Sequence, residues 1–158
     1  MTTRLTAPRW THVALPVSDL DRSIEFYTDL TPLVVAHRNA DENGRSAWLS
    51  NDHQVVDPFV LVLVELVADV GRQFGQAPDT PLPTLRPFAH LGIELPERAD
   101  VDAIAARAEA RGALEMPPRE LAPHIGYVCF VTDPDGNIVE FSHNQQVLST
   151  IGRLWGDR

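Results

Sequence analysis

The chain has 158 residues, of which 44% are hydrophobic and 22% charged, and this fits one ordinary globular domain or two small fused units. Its formal net charge of -9 disfavours nucleic acid and other polyanions as partners. The one cysteine, Cys129, excludes an internal disulfide and is expected to pack in the core. The N-terminal stretch lacks the apolar segment of a signal peptide, and no apolar run approaches the ~20 residues that span a bilayer. We therefore expect a cytoplasmic protein without a membrane segment.

The first part of the chain alternates between strand and helix patterns. The predicted elements are a strand at 10–17, a helix at 19–29, a strand at 33–36, a hairpin loop at 38–45, and strands at 46–49 and 59–67. Ser18 is the expected N-cap of the helix, which has acidic residues in its first turn. The last strand, FVLVLVELV, is the most strongly apolar and contains one carboxylate, Glu65.

The second part follows a proline-rich segment, 68–87, which we interpret as an extended linker. The elements predicted after it are a strand at 88–95, an alanine-rich helix at 100–111 that stops at Gly112, a loop at 115–124, a strand at 125–131, a DPDG turn at 133–136 and a short strand that carries Glu140. An amphipathic tail, 144–158, follows. Burying Glu140 among apolar neighbours costs several kcal/mol unless a cation or a donor meets it.

Both parts therefore have the order strand, helix, then further strands. This repetition predicts an α+β fold built from two βαβββ modules, at about 8–67 and 88–143, joined by the linker at 68–87 and followed by the tail at 144–158.

Two histidines and two glutamates recur at similar places in the two modules. His12 and His90 lie 78 residues apart (90 − 12), and Glu65 and Glu140 lie 75 apart (140 − 65). A lone histidine on an apolar strand is more often a hydrogen-bonded core residue than a ligand, and a lone glutamate usually faces solvent. The paired recurrence instead favours a divalent-metal site, because two imidazoles and two carboxylates that are buried together are typical ligands of such ions.

The segments WTHVALPVSDLDRSIEFYTDL, LVLVELV, FAHLGIEL and VTDPDGNIVEF resemble the vicinal oxygen chelate (VOC) superfamily, which includes glyoxalase I, bleomycin resistance proteins and extradiol dioxygenases. The resemblance implies βαβββ modules whose sheets curl into a cleft with a metal at its base. It also implies a small-molecule substrate and a homodimer.

The resemblance also implies a ligand set. Glyoxalase I uses two histidines and two glutamates, at places that match His12, Glu65, His90 and Glu140. Extradiol enzymes use three ligands, which would be His12, His90 and Glu140 and would leave Glu65 extra. Oxygen and nitrogen ligands without thiolate suit Zn, Ni, Co, Mn or Fe.

These features predict a glyoxalase-I-like lyase or isomerase, which forms a metal-stabilised enediolate with Glu65 or Glu140 as the base. The alternatives are an extradiol-type Fe(II) dioxygenase and a non-catalytic small-molecule binding or resistance protein. The chain departs from bacterial glyoxalase I at Pro16 and Asp69, where an Arg and an Asn of that enzyme hold glutathione.

Overall fold

The polypeptide forms two units, Met1–Leu82 and Pro83–Arg158, each of which contains one four-stranded mixed sheet. The computed structural model describes residues 8, 10–55, 58–77 and 79–156. In both units the first strand is followed by a helix and then by three strands, so the predicted α+β fold of two βαβββ modules is confirmed.

The first unit contains five elements of the repeat and one additional helix. They are β1 (His12–Pro16), α1 (Leu20–Leu30), β2 (Leu33–Asp41), β3 (Gly44–Asn51), β4 (Val60–Leu66) and α2 (Ala68–Gln73). The sheet order is β1-β4-β3-β2, with β1 parallel to β4 and the other neighbours antiparallel.

Helix α1 covers one face of this sheet and buries its apolar side against β2, β3 and β4. Residues on β4 alternate accordingly: Leu61 and Leu63 are fully buried beneath the helix, whereas Val60 is only half-buried. The helix is capped by Asp19, whose side chain accepts a hydrogen bond of 3.1 Å from the Arg22 backbone N–H. The expected cap, Ser18, lies one residue earlier.

The second unit repeats the arrangement. Its elements are β5 (Leu91–Glu94), α3 (Arg98–Glu109), β6 (Leu114–Glu120), β7 (Tyr127–Thr132), β8 (Ile138–His143) and α4 (Val147–Trp155). The sheet order is β5-β8-β7-β6, with β5 parallel to β8. Helix α3 begins at a capping box formed by Glu97 and Asp100 and packs on β6, β7 and β8.

The segment 115–124, predicted as a loop, contains most of strand β6 despite two consecutive prolines. A proline cannot donate to a sheet ladder, but β6 lies at the edge of its sheet, where that loss is tolerated. Its register with β7 shifts between Met116 and Arg119, which span Pro117 and Pro118. The strand tolerates both prolines because it lies at the edge of the sheet, and the prediction of a loop here was wrong.

Two other segments differ from expectation. The short helix α2 lies at the start of the segment expected to be an extended linker. The hairpin between β2 and β3 is also much tighter than the predicted loop at 38–45, with Glu42 and Asn43 between the strands. Gly44 follows at φ 144°, and a Cβ there would collide with the backbone oxygen of Glu65.

No helix in the described part of the chain is long and apolar enough to cross a membrane.

Cys129 on β7 is fully buried, and its Sγ lies 4.0 Å from the Val101 backbone oxygen. Burial, together with the Asp102 and Glu140 carboxylates, raises the pKa of the thiol to about 12.

The folded protein is therefore expected to react with thiol reagents far more slowly than the unfolded chain. Between pH 9.0 and about 12 the folded state keeps a proton that the unfolded state loses, so this thiol lowers stability as the pH rises. Labelling with a disulfide reagent, with and without denaturant, checks this; equal rates would contradict it.

Candidate metal centre

Glu140 lies in the middle of β8 and is only 4% exposed. The turn before the strand fixes its position. The buried Asp133 carboxylate accepts backbone hydrogen bonds from Asp135 at 3.0 Å and Asn137 at 2.7 Å. The strand that leaves this turn pairs with both β5 and β7, so Glu140 lies between Gly92 and Phe130.

Two side chains meet the Glu140 carboxylate. The Gln145 amide nitrogen donates to Oε1 at 2.8 Å, and His90 Nε2 lies 3.7 Å from Oε2. The second distance is too long for a hydrogen bond. Two ligand atoms that are each about 2.1 Å from one ion would lie roughly 3–3.5 Å apart, so the pair is close to the spacing of neighbouring metal ligands.

The His90 ring is oriented for ligation. Its Nδ1 lies 2.7 Å from the Phe88 backbone oxygen, which can only accept, so Nδ1 carries the proton. In the neutral ring this leaves the lone pair of Nε2 on the side of Glu140. The ring also stacks on Phe130 at a centroid distance of 5.8 Å and an angle of 26°. A backbone carbonyl that holds the far nitrogen is the usual support for a metal-binding imidazole.

In the first unit His12 begins β1, where it is exposed and its Nδ1 lies 2.9 Å from the Thr11 hydroxyl. It pairs with Val60 on β4. Because neighbouring residues of a parallel pair share a face, His12 lies with Val60 on the face away from α1. This is the face that corresponds to the one occupied by His90 and Glu140.

Glu65 lies on the other face of the same sheet. It is five residues beyond Val60 on β4, which is roughly 16 Å along the strand and an odd number of residues, so its side chain points towards α1. There Oε2 accepts from the Leu20 backbone N–H at 2.7 Å and from Arg45 Nη2 at 2.6 Å. The structure therefore does not bring Glu65 to His12.

The contacts of Glu65 belong to an ionic network at the first turn of α1. Arg45 also binds Asp21 at 2.8 Å, and Arg38 binds the same carboxylate at 3.0 Å. The two guanidinium groups lower the pKa of Asp21, and the Glu65 and Asp21 carboxylates raise the pKa of Arg45. A carboxylate at a helix N-terminus is also favoured by the helix dipole. Glu65 therefore stabilises the first turn of α1, by accepting from the Leu20 N–H and by binding Arg45.

The strand registers identify the true counterpart of Glu140. Two residues after His90 comes Gly92, which pairs with Glu140; two residues after His12 comes Ala14, which pairs with Val62. The repeat thus equates Glu140 with Val62, in agreement with the 78-residue offset of the histidines. Contrary to the expectation from the sequence, Glu65 therefore does not occupy the position of the first unit that is equivalent to Glu140. It lies three residues beyond that position, which is why the two glutamates are 75 residues apart and the two histidines 78.

Sequence reasoning also missed Gln145, which contacts Glu140 from the segment between β8 and α4. Within the described residues, no group of three or more His, Cys, Asp or Glu side chains forms a metal-binding cluster. Of the predicted ligands, His90 and Glu140 lie close to each other.

Paired βαβββ units, with His90 immediately before β5 and Glu140 on the parallel neighbouring strand β8, are the architecture expected of the vicinal oxygen chelate proteins. The chain belongs to the Glyoxalase/Bleomycin resistance protein/Dioxygenase superfamily, whose family model matches residues 9–141.

Similar proteins cover most of the chain. It is 36% identical over 139 residues to an uncharacterized protein of Pseudomonas aeruginosa, with 88% of this chain and 91% of that one covered. It is 30% identical over 142 residues to a probable lactoylglutathione lyase of Vibrio parahaemolyticus, with coverage of 85% and 90%. The solved structure of a glyoxalase-related enzyme from Fulvimarina pelagi matches with a TM-score of 0.62 at 26% identity and coverage of 87% and 89%.

Proposed function

We propose that this protein is a metal-dependent lyase or isomerase of the glyoxalase I type, in which His90 and Glu140 hold one divalent ion. The observation that carries the proposal is the 3.7 Å separation of His90 Nε2 and Glu140 Oε2, with the imidazole oriented by the Phe88 carbonyl. Nitrogen and oxygen donors of this kind suit Zn, Ni, Co, Mn or Fe.

The burial of Glu140 supports the same proposal. The Glu140 carboxylate is 4% exposed and accepts a hydrogen bond from the neutral Gln145 amide. One neutral donor does not offset the hydration free energy that a buried charge loses. A dication beside Oε2 would supply the missing charge. His12 remains the predicted further ligand from the first unit. Glu65 also remains a predicted ligand, but its bonds to Leu20 and Arg45 favour a structural role. That role would leave His12, His90 and Glu140, the set that the extradiol alternative also uses, so the reaction catalysed, and not the number of ligands, has to separate the two enzymes.

When bound, the ion would supply Lewis acidity to two neighbouring oxygen atoms of a small substrate. The protein would supply the proton transfer. Glu140, when its Oε2 is not bound to the ion, would remove a proton from the carbon that carries the second oxygen as a hydroxyl and return it to the adjacent carbonyl carbon, while the hydroxyl proton passes to the former carbonyl oxygen. One C–H and one O–H bond break, one of each forms, the C=O bond moves to the neighbouring carbon, and no external oxidant is used. Glu65, the other predicted base, faces α1 and is committed to Arg45. We assign the base to Glu140.

The proposed substrate is a small molecule that carries a carbonyl oxygen next to a second oxygen. The name of the Vibrio relative favours the adduct of a 2-oxoaldehyde with glutathione. The chain nevertheless has Pro16 and Asp69 at the positions that correspond to the glutathione contacts in the resemblance. Assays should therefore compare glutathione with other thiols and with the free 2-oxoaldehyde.

The experiment is metal titration of chelator-treated protein, followed by these assays. We expect one equivalent of Zn, Ni or Co to bind to the wild type, and His90→Ala to lower the affinity at least about 100-fold, since even outer-shell changes cost 10–100-fold. His124→Ala, a change of an exposed histidine in the same unit, is the matched control and should bind as the wild type does.

Other outcomes would overturn the proposal. Absence of metal binding together with tight binding of a small organic ligand would instead support a binding or resistance protein. Fe(II)-dependent cleavage of a catechol would support the dioxygenase alternative.

A further inference from the structure

We infer that Gln145 is a positioning residue that fixes which oxygen of Glu140 is offered to the metal ion. This inference rests on the proposed function, since it concerns the same site. Its basis is the hydrogen bond of 2.8 Å from the Gln145 amide nitrogen to Glu140 Oε1, on the opposite oxygen from the one that faces His90.

The orientation of the Gln145 amide is set by its surroundings. Its oxygen accepts a hydrogen bond of 3.4 Å from the Ser142 hydroxyl, which places the NH₂ group on the side of Glu140. Its backbone N–H donates to Glu94 Oε1 at 3.0 Å, so the main chain of the residue is anchored to β5 as well. Gln145 therefore reaches Glu140 from a tethered position rather than from a free loop.

These contacts have a consequence for coordination. Oε1 accepts the Gln145 hydrogen bond, so Oε2, which lies next to His90 Nε2, is the oxygen that Glu140 offers to an ion. A neutral amide leaves the negative charge of the carboxylate intact, whereas a cationic partner in the same place would compete with a metal ion. Gln145 thus favours coordination of the ion by one oxygen of Glu140.

The test uses the full-length protein with Co(II) alone as the probe. Gln145→Leu removes the donor and keeps a side chain of similar size. We expect its affinity for Co(II) to fall about 10–100-fold, as is usual for loss of a group that orients a ligand. Because Oε1 becomes free to coordinate as well, the visible absorption spectrum of the cobalt-loaded protein should also change. Gln146→Leu, at the exposed neighbouring residue, is the matched control.

Thermal unfolding without metal measures the structural part of the effect. Gln145→Leu leaves the buried Glu140 carboxylate without its donor and is expected to unfold at a lower temperature than Gln146→Leu. A purely structural role would lower stability but leave the Co(II) affinity and spectrum of the folded variant unchanged. If Gln145→Leu does not fold, Gln145→Asn, whose shorter amide cannot keep the 2.8 Å bond, is measured in its place with the same expectation. Affinity within twofold of the wild type and an unchanged spectrum would overturn the inference. Failure of the wild type itself to bind Co(II) would instead reject the proposed function, so the two failures are distinguishable.

Discussion

Glu140→Gln is expected to lower the affinity of the protein for a divalent ion by at least about 100-fold and to abolish turnover. The substitution removes the negative charge and leaves a weak amide oxygen in place of a carboxylate ligand, and the loss should exceed the 10–100-fold typical of outer-shell groups. The proton acceptor is lost in the same step. Isothermal titration with Zn(II) and a proton-exchange assay measure the two effects.

The same substitution should leave the metal-free protein as stable as the wild type, or more so. A buried carboxylate is costly, and a neutral amide of the same shape still accepts the Gln145 hydrogen bond. Glu109→Gln, at an exposed residue of α3, controls for the loss of one negative charge. Wild-type metal affinity in Glu140→Gln would show that this carboxylate is not a ligand.

Glu65→Ala is expected to have the opposite profile, with lower stability and unchanged metal affinity. The substitution leaves the Leu20 N–H without its acceptor and removes a partner of Arg45, at a cost of about 1–3 kcal/mol. Thermal denaturation should show a decrease of roughly 2–4 °C per kcal/mol. Affinity for Zn(II), measured by competition with a chelator, should remain within about threefold.

Glu25→Ala, which removes an exposed glutamate from α1, is the matched control and should be nearly neutral. If Glu65→Ala proves too unstable to purify, Glu65→Gln retains an acceptor for Leu20 and is measured instead. Loss of the metal from a folded Glu65 variant would restore the four-ligand set and contradict a purely structural role for Glu65.

The contrast between these two glutamates shows how far the sequence could be interpreted. Both are single carboxylates in apolar strands, and nothing in their immediate neighbours separates them. What separates them is strand register, which places Glu140 on the face of His90 and Glu65 beneath α1. A slip of an odd number of residues reverses the face of a side chain. The trace of this in the sequence is the offset of the glutamates, which is 75 residues where that of the histidines is 78, a difference of three.

Elements with a strong local pattern were predicted well. The helix at 19–29 and the apolar strand at 59–67 correspond to α1 and β4 within one residue at each end. Strand β6 was missed because its prolines indicate a loop unless the edge position is known. Gln145 gave no signal, because an amide five residues after a glutamate has no distinctive pattern, and its contact depends on the turn that follows β8.

An anomalous-scattering map from crystals of the zinc-loaded protein would locate the proposed metal ion directly. We predict one strong peak within about 2.3 Å of both His90 Nε2 and Glu140 Oε2, with Gln145 still bonded to the other oxygen of Glu140. A zinc peak bound to Glu65 but not to Glu140, or no peak beside His90, would contradict the proposed site.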